Sequence, residues 1–224
     1  MRLVHASDLH DDSRLVSAIY HAPGEIVVLT GDLLDNYGRR PTINPKKEAA
    51  YQTEWLGYHA AAWKTAFRGR PVIIVPGNHD FINIKGVLVA NGHDPALVHQ
   101  LAAGSSVVLG GLRFAGFREI PYIEGEWAGE VHDFHGIIDR VWATNPDILV
   151  THAPPAGVLD GRGYGIPTLT SALTYSPHNI KAHLFGHTHE HGGRELYDPD
   201  LKIEFFNGAR CVRSICVGER TPAV

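Results

Sequence analysis

Five short polar motifs carry the side-chain types that bind metal ions. The motifs are Asp8-Leu9-His10, Gly31-Asp32-Leu33-Leu34-Asp35, Gly77-Asn78-His79-Asp80, Thr151-His152 and Gly186-His187-Thr188-His189. Their carboxylate, imidazole and amide groups are a mixture of hard and borderline ligands, which suits manganese, iron or zinc. A zinc site built from cysteine is excluded, because the chain contains only two cysteines. We therefore expect a site for divalent metal ions.

A short apolar run that predicts a strand precedes each motif. These runs cover residues 2–6, 25–29, 71–75, 147–150 and 182–185. One Asp or His at the end of a strand is often only a turn residue or a helix cap. Five such ends favour a common site, because ligands collect at the carboxyl ends of strands in α/β sheets. A glycine directly precedes Asp32, Asn78 and His187, which lets the backbone turn tightly there.

The rest of the chain predicts an α/β fold with helices between the strands. Residues 46–68 have apolar side chains at spacings of three, four and seven, which predicts an amphipathic helix. Residues 106–117 contain a Gly-Gly pair between two extended runs, which indicates a β-hairpin. Residues 201–206 and 211–217 flank an Asn-Gly pair, and this pattern predicts a second antiparallel hairpin.

The chain has 15 histidines, and those outside the five motifs are expected to be surface or core residues. His5 lies within the predicted strand 2–6. His183 alternates with apolar residues in the run 182–185, so we expect it to form a hydrogen bond within the sheet.

Composition limits the classes of protein that the chain can be. The formal net charge of the 224 residues is -4, which argues against a large binding surface for nucleic acid or anionic lipid. No apolar run approaches the roughly 20 residues that span a bilayer. Cys211 and Cys216 are expected to be reduced thiols, because no signal-like segment begins the sequence. We therefore expect a cytoplasmic protein without membrane contact, made of one domain over residues 1–224.

The order of the five motifs along residues 8–189 resembles that of the calcineurin-like metallophosphoesterases. The resemblance implies an α/β fold in which a two-sheet β-sandwich is flanked by helices, in a four-layer αββα arrangement. It also implies two divalent metal ions at one end of the sandwich, with manganese expected first and iron, zinc, nickel or magnesium as alternatives. The first ion would be held by Asp8, His10, Asp32 and His189, and the second by Asp32, Asn78, His152 and His187.

The resemblance further implies a hydrolytic reaction at these ions. Two cations about 3.5 to 4 Å apart lower the pKa of a bridging water molecule, so that a bridging hydroxide attacks phosphorus. His79 would assist the leaving group, and Asp35 resembles the family's carboxylate that orients this imidazole. A carboxylate at a helix start is the alternative interpretation of Asp35. Arg162, in a glycine-rich loop, is a weaker candidate that either binds the substrate phosphate or is simply solvated.

The expected substrate is a small phosphodiester. Asn36-Tyr37-Gly38 follows Asp35 where the family's phosphoprotein phosphatases have Arg-Gly, which argues against that branch. The strings at residues 151–155 and 183–187 are similar to those of small metallophosphoesterases that act on cyclic nucleotides. The resemblance therefore predicts a phosphodiesterase that acts on small nucleotides or related esters. Residues 36–45 and 120–136, which show no regular pattern, are expected to be the loops that select the substrate.

Two other functions are alternatives to this prediction. A nuclease or an end-processing phosphatase of nucleic acid would use the basic cluster formed by Arg39, Arg40, Lys46 and Lys47. A non-catalytic binding scaffold is the alternative from another class, and the intact set of predicted metal ligands argues against it. Nucleic acid is thus an alternative partner, a small phosphate ester or nucleotide is the expected one, and no oligomeric state is predicted.

Overall fold

Two large sheets lie at the centre of the computed structural model, which describes residues 1–38 and 42–218. Within those residues the strands are β1 (Arg2–Ser7), β2 (Ile26–Leu29), β3 (Val72–Ile74), β4 (Val98–Gln100), β5 (Ser106–Leu109), β6 (Leu112–Phe117), β7 (Ile120–Pro121), β8 (Glu130–Val131), β9 (Ile148–Thr151), β10 (Ala182–Phe185), β11 (Glu195–Asp198), β12 (Ile203–Asn207) and β13 (Cys211–Cys216). The helices are α1 (Ser13–His21), α2 (Pro45–Phe67), α3 (Ile84–Ala90), α4 (His135–Trp142) and α5 (Pro167–Tyr175), and a 3-10 turn covers His189–His191. The five strands predicted before the polar motifs, the long helix and the first hairpin are therefore confirmed.

Both sheets have parallel inner strands and at least one antiparallel edge strand. The first sheet has the order β13-β1-β2-β3-β4, and only β13 is antiparallel to its neighbour. The second has the order β11-β12-β10-β9-β6-β5, with β11 and β5 antiparallel at its edges. The inner parallel strands are covered on both faces, which explains their continuous apolar runs.

Three apolar layers form the core, because alternate residues along a strand face opposite sides of a sheet. In β2, Val27 packs with residues of α1, α2 and α3, whereas Val28 faces the second sheet. In β9, Leu149 packs with residues of α4 and α5, whereas Val150 faces the first sheet. The expected two-sheet sandwich flanked by helices is therefore confirmed.

The first two helices begin at residues that cap them. The Asp12 side chain accepts a hydrogen bond from Arg14 N at the start of α1. The Asn44 side chain accepts one from Lys47 N at the start of α2, whose first residue is Pro45. Among the described residues, no helix combines the length and the apolar composition that crossing a membrane requires.

The hairpin predicted from residues 201–206 and 211–217 is wrong, because its two strands belong to different sheets. β12 pairs in parallel with β10 in the second sheet, and β13 pairs antiparallel with β1 in the first. Gly208 N donates a hydrogen bond to Phe185 O in one sheet, and Gly208 O accepts one from Ser7 N in the other. The Asn-Gly pair therefore crosses between the sheets, and β12 forms its hairpin with β11, a strand that was not predicted.

Two histidines outside the polar motifs are buried in the sheets. His5 Nε2 lies 3.0 Å from Thr30 Oγ1, and His183 Nε2 lies 2.7 Å from Thr151 Oγ1, which confirms the hydrogen bond expected for His183. Burial disfavours the charged imidazole and lowers the pKa of each histidine from 6.5 to about 3. Both rings are therefore neutral in the folded protein near pH 7.

We expect the free energy of unfolding to decrease as the pH falls from about 6.5 towards 3. In this range the unfolded chain binds a proton at each of the two buried histidines that the folded chain does not bind, so each contributes a slope of about 1.4 kcal/mol per pH unit. The contribution is complete above pH 6.5. Urea unfolding at several pH values, compared with that of a His183→Gln variant, tests this expectation. The variant should have the shallower pH dependence, and equal slopes would contradict the assignment.

Candidate metal centre

The five polar motifs meet where β1, β2 and β3 of the first sheet and β9 and β10 of the second come to their carboxyl ends. One group of ligand atoms comes from Asp8, His10 and His189, a second group comes from Asp32, His152 and His187, and the atoms of each group lie within 4.8 Å of one another. Asn78 Oδ1 lies 3.0 Å from His152 Nε2 and adjoins the second group. The fold thus brings together all seven residues that were predicted as metal ligands, and their role as ligands stays a prediction.

Asp32 lies between the two groups. Its Oδ1 atom accepts a hydrogen bond of 2.8 Å from His79 N, which fixes the direction of the carboxylate. Its Oδ2 atom lies 3.4 Å from His152 Nε2 in the second group and 4.0 Å from His10 Nε2 in the first. One oxygen atom therefore faces both groups, which suits a carboxylate that bridges two ions through a single oxygen.

Asp8 joins the last motif to the first. Its Oδ1 atom lies 2.9 Å from His189 Nε2, and its Oδ2 atom accepts a hydrogen bond of 3.0 Å from His187 N. The carboxylate is buried at the end of β1. Because it contacts a loop of the second sheet, Asp8 connects the two sheets at the site.

The backbone is left-handed at four of the predicted ligands. The φ angles are 54° at Asp8, 43° at His10, 51° at Asp32 and 67° at His187. Such angles are uncommon for residues other than glycine and cost about 1 to 3 kcal/mol each, although Asp and His tolerate them better than most residues. The strain is held by backbone hydrogen bonds between motifs, such as Asp8 N to Gly31 O at 2.8 Å. Strained backbone of this kind concentrates at functional sites.

The imidazole and carboxylate groups are held as metal ligands require. His152 Nδ1 donates to Thr30 O at 2.7 Å, which leaves Nε2 available for a metal ion. Burial lowers the pKa of His152, but the Asp32 carboxylate outweighs burial and raises it to about 9. Burial raises the pKa of Asp32, but His152 and His79 hold it well below 3.8. Cations would balance the buried carboxylates in place of these protons, and the donor set therefore fits divalent metal ions.

Glycine at position 77 allows the third motif to approach Asp32. A Cβ atom at Gly77 would overlap Asp32 Oδ1 and the ring of His152, so no larger residue fits without displacing them. We expect Gly77→Ala to destabilise the protein by about 1 to 3 kcal/mol, as overpacking does elsewhere, and to weaken metal binding. Urea unfolding and metal content after dialysis measure the two effects.

Gly57→Ala is the matched control for that substitution. Gly57 lies within α2, and a Cβ atom there would make only ordinary contacts with Asn91. Alanine favours the helix over glycine, so this variant should be as stable as the parent or more stable. A Gly77→Ala variant that matched the control in stability and metal content would contradict the close packing described for Asp32.

His79 lies at the edge of the site. Its Nδ1 atom contacts Asn36 Oδ1, and its Nε2 atom lies 3.8 Å from Asp32 Oδ2. The Trp127 ring packs against the imidazole, with ring centroids 4.4 Å apart. Asp35 accepts a hydrogen bond of 2.8 Å from Asn36 N. The orienting role expected of Asp35 stays a prediction, and Asn36 is a contact of His79 that the sequence patterns did not reveal.

Asp80 ties the second and third motifs together. Its Oδ1 atom accepts hydrogen bonds of 3.0 Å from Leu33 N and from Leu34 N, and its Oδ2 atom accepts one of 2.8 Å from Gly77 N. Burial and the nearby Asp32 carboxylate raise the pKa of this carboxyl, and the three backbone donors offset that rise only in part. An Asp after a strand also suits a helix cap, so its type and position alone could not identify this role.

Arg162 lies beside the 3-10 turn that carries His189. Its Nε atom is 3.0 Å from Glu190 Oε1, and its side chain is 81% exposed. The contact with a substrate phosphate therefore stays a prediction. Tyr164 in the same loop has its ring centroid 6.1 Å from that of His187, which places an aromatic side chain next to the second ligand group.

Comparison with known proteins gives one family and a set of similar folds. The family model for calcineurin-like phosphoesterases matches residues 1–191. Among solved structures, TT1561 of Thermus thermophilus is 15% identical, with a TM-score of 0.61 over 92% of this chain and 88% of that chain. The phosphopantetheinyl hydrolase PptH from Mycobacterium tuberculosis is 16% identical, with a TM-score of 0.56 over 99% of this chain and 98% of that chain. No curated protein matches the sequence. At these identities the likeness to the two structures extends to the fold alone.

Proposed function

Because the chain belongs to the calcineurin-like phosphoesterase family, we propose that it hydrolyses phosphate esters with the help of two divalent metal ions. The observation that carries this proposal is the position of Asp32 Oδ2, which faces imidazoles of both ligand groups. A carboxylate oxygen between two sets of donors is the arrangement that a two-metal centre needs. Manganese is the expected metal, with iron, zinc, nickel and magnesium as alternatives, because nitrogen and oxygen ligands accept all of them.

Different side chains at the site would bind the metal ions and transfer the proton in the proposed reaction. When bound, the ions would polarise the phosphoryl oxygens and lower the pKa of a water molecule between them. Asp8 and Asp32 would supply the negative charge that retains the cations, and Thr30 O binds His152 Nδ1, which leaves the Nε2 atom available as a ligand. Because His79 Nδ1 is occupied by Asn36, its Nε2 atom is the one from which a proton would pass to the departing oxygen.

We expect the substrate to be a small phosphodiester, such as a cyclic nucleotide or a related ester. The resemblance at residues 151–155 and 183–187 supports this class. A phosphopantetheinyl hydrolase has the same fold, so a phosphopantetheinyl ester belongs among the candidates. Trp127 and Tyr164 offer aromatic surfaces for the organic part of such a substrate, and Arg162 offers a positive charge for its phosphate.

Two loops beside the site are the segments in which we expect substrate selection to reside. Ala128 N, in the loop between β7 and β8, donates a hydrogen bond of 3.1 Å to Asn78 O, so the segment 120–136, which also contains these two short strands and the first residues of α4, contacts the third motif. Glu126 Oε2 accepts one of 3.1 Å from Ile43 N, which joins that segment to residues 42–44 just before α2. Substitutions in either loop should therefore change substrate preference more than metal content.

The charge around the site favours a small substrate over nucleic acid. Of the basic cluster that a nuclease would use, Lys46 and Lys47 are exposed at the start of α2, whereas Arg39 and Arg40 lie outside the described residues. The loop 120–136 carries several acidic residues, which would repel a long polyanion. The proximity of the seven predicted ligands and His79 supports a catalytic site over a non-catalytic scaffold.

The proposal is tested by adding single metal ions back to metal-stripped protein. Manganese, magnesium, zinc, nickel or iron is supplied with a chromogenic phosphomonoester or phosphodiester, and then with cyclic nucleotides and a phosphopantetheinyl ester. We expect one or more metals to restore hydrolysis, with the diester preferred. Preference for the monoester would contradict the substrate class, and the absence of turnover with every metal would favour the binding scaffold.

A further inference from the structure

Two buried polar residues on α2 lie beneath the candidate site. Glu48 is 2% exposed and Gln52 is 0% exposed, and they are one helical turn apart on the side of α2 that packs into the protein. A buried carboxylate is costly unless hydrogen bonds satisfy it. Among residues 1–38 and 42–218, the Glu48 carboxylate accepts hydrogen bonds from the segment after the second motif, namely from Tyr37 N at 2.7 Å, Asn36 Nδ2 at 3.3 Å and Gly38 N at 3.4 Å.

The Glu48 carboxylate determines the orientation of the Asn36 side-chain amide. A carboxylate only accepts hydrogen bonds, so the amide NH2 group must face Glu48, and the amide oxygen must face His79. This oxygen in turn requires a proton on His79 Nδ1. The Nε2 atom is then the one directed towards Asp32 and the candidate metal centre. Glu48 and Asn36 in series thus set the tautomer and the direction of the His79 imidazole.

Gln52 holds the backbone around the same imidazole. Its Nε2 atom donates to His79 O at 2.6 Å and to Asp35 O at 3.1 Å, and its Oε1 atom accepts from Phe81 N at 2.8 Å. The side chain therefore joins the second and third motifs. With the backbone held by Gln52, the remaining freedom of His79 is rotation of its ring, which the Asn36 contact and the packed Trp127 ring both restrain.

We propose that Glu48 and Asn36 are positioning residues for the reaction, which act by holding His79 with Nδ1 protonated and Nε2 directed at the leaving group. This inference rests on the proposed phosphoesterase function. A purely structural Glu48 would need only the backbone donors of the loop. The added contact through the Asn36 amide links Glu48 to His79, an imidazole at the site that belongs to neither ligand group.

The test compares two diesters, one with a 4-nitrophenolate leaving group and one with an alkoxide leaving group. An alkoxide needs a proton when it departs, whereas 4-nitrophenolate does not. A misplaced His79 therefore slows only the hydrolysis of the alkoxide ester. We expect Asn36→Ala and Glu48→Ala to lower kcat for the alkoxide ester by about 10- to 100-fold and for the nitrophenyl ester by less than about threefold, with KM little changed. Metal content should equal that of the parent protein.

Conservative and control variants separate positioning from folding. In Glu48→Gln, one amide oxygen can still accept from both Tyr37 N and Asn36 Nδ2, so this variant should keep kcat within about threefold of the parent. Glu54→Ala removes an exposed carboxylate from the same helix and should leave both reactions unchanged. In a His79→Ala background, Glu48→Ala should not lower kcat for the alkoxide ester any further, because the imidazole that Glu48 positions is already absent.

Several results would overturn the inference. The inference is overturned if kcat falls equally for both esters, or if the metal content falls. It is also overturned if Glu48→Ala lowers kcat further in the His79→Ala variant. Any of these results would show that Asn36 and Glu48 only stabilise the local structure. The metal-free protein gives an independent measurement, because long-range ¹H–¹⁵N spectra of the neutral His79 ring report its tautomer. We expect the Nδ1–H form in the parent protein and its loss in Asn36→Ala. A parent protein that hydrolyses no ester with any metal would refute the proposed function, and the tautomer would still test the contact between these side chains.

Discussion

Replacing Asp32 with Asn is expected to lower the turnover of every phosphate ester by about 10³-fold or more and to reduce the content of both metal ions. The physical reason is that Asp32 Oδ2 faces donors of both groups, and an amide carries no charge to offset two cations. The carboxylate is also buried, so no other negative charge can take its place without displacing His152 or Asn78. Metal analysis after dialysis and kcat/KM with saturating manganese measure the two effects.

Asp139→Asn is the control for the loss of one negative charge. Asp139 is exposed on α4, away from the five motifs, and its substitution should change neither metal content nor turnover. Retention of both ions by Asp32→Asn would show that Asp32 does not bridge them. Loss of one ion with turnover preserved would show that the reaction needs a single metal.

Replacing His79 with Ala should leave both ions bound and abolish most of the turnover of esters with poor leaving groups. The ring belongs to neither group of ligand atoms, and the backbone N–H that fixes Asp32 is kept in the variant. A positioned acid contributes about 10²- to 10⁴-fold, so a loss of that size is expected for an alkoxide ester and a much smaller one for a 4-nitrophenyl ester. Steady-state kinetics with the two esters and metal analysis measure these effects.

His21→Ala is the control for the removal of one imidazole. His21 is exposed at the end of α1, and its replacement should change the rate of hydrolysis of neither ester. Full activity of His79→Ala with the alkoxide ester would rule out the role of His79 as an acid. Loss of metal from the same variant would instead make His79 a ligand or a support for one.

Features of the fold that depend on neighbouring residues were predictable from the sequence. The strands before Asp8, Asp32 and Asn78 were visible as apolar runs, because a strand buried on both faces needs apolar residues at successive positions. The long helix was visible from its 3.6-residue period. The types and order of the polar motifs were enough to indicate a metal site, because ligand chemistry belongs to the side chain itself.

Features that depend on contacts between distant segments were decided only by the tertiary structure. The Asn-Gly pair after β12 has the pattern of a hairpin turn. In the structure, however, β12 pairs with β10 in the second sheet and β13 pairs with β1 in the first. Asp80 bonds to Leu33 N, 47 residues earlier, and Asp8 meets His189, 181 residues later. No local pattern encodes such a pairing, since it arises from the packing of whole strands and helices.

At the candidate site, too, some features were predictable from the sequence and others were decided only by the tertiary structure. Sequence alone determined that carboxylates and imidazoles stand at five strand ends, because both the strands and the residue types are local properties. The tertiary structure decided that Asp32 lies between two groups, that Asp8 and His187 adopt left-handed backbone, and that Glu48 reaches His79 through Asn36. These features exist only when the ends of two sheets and the start of α2 are brought within hydrogen-bonding distance, and the free energy that holds them there comes from burial of the three apolar layers.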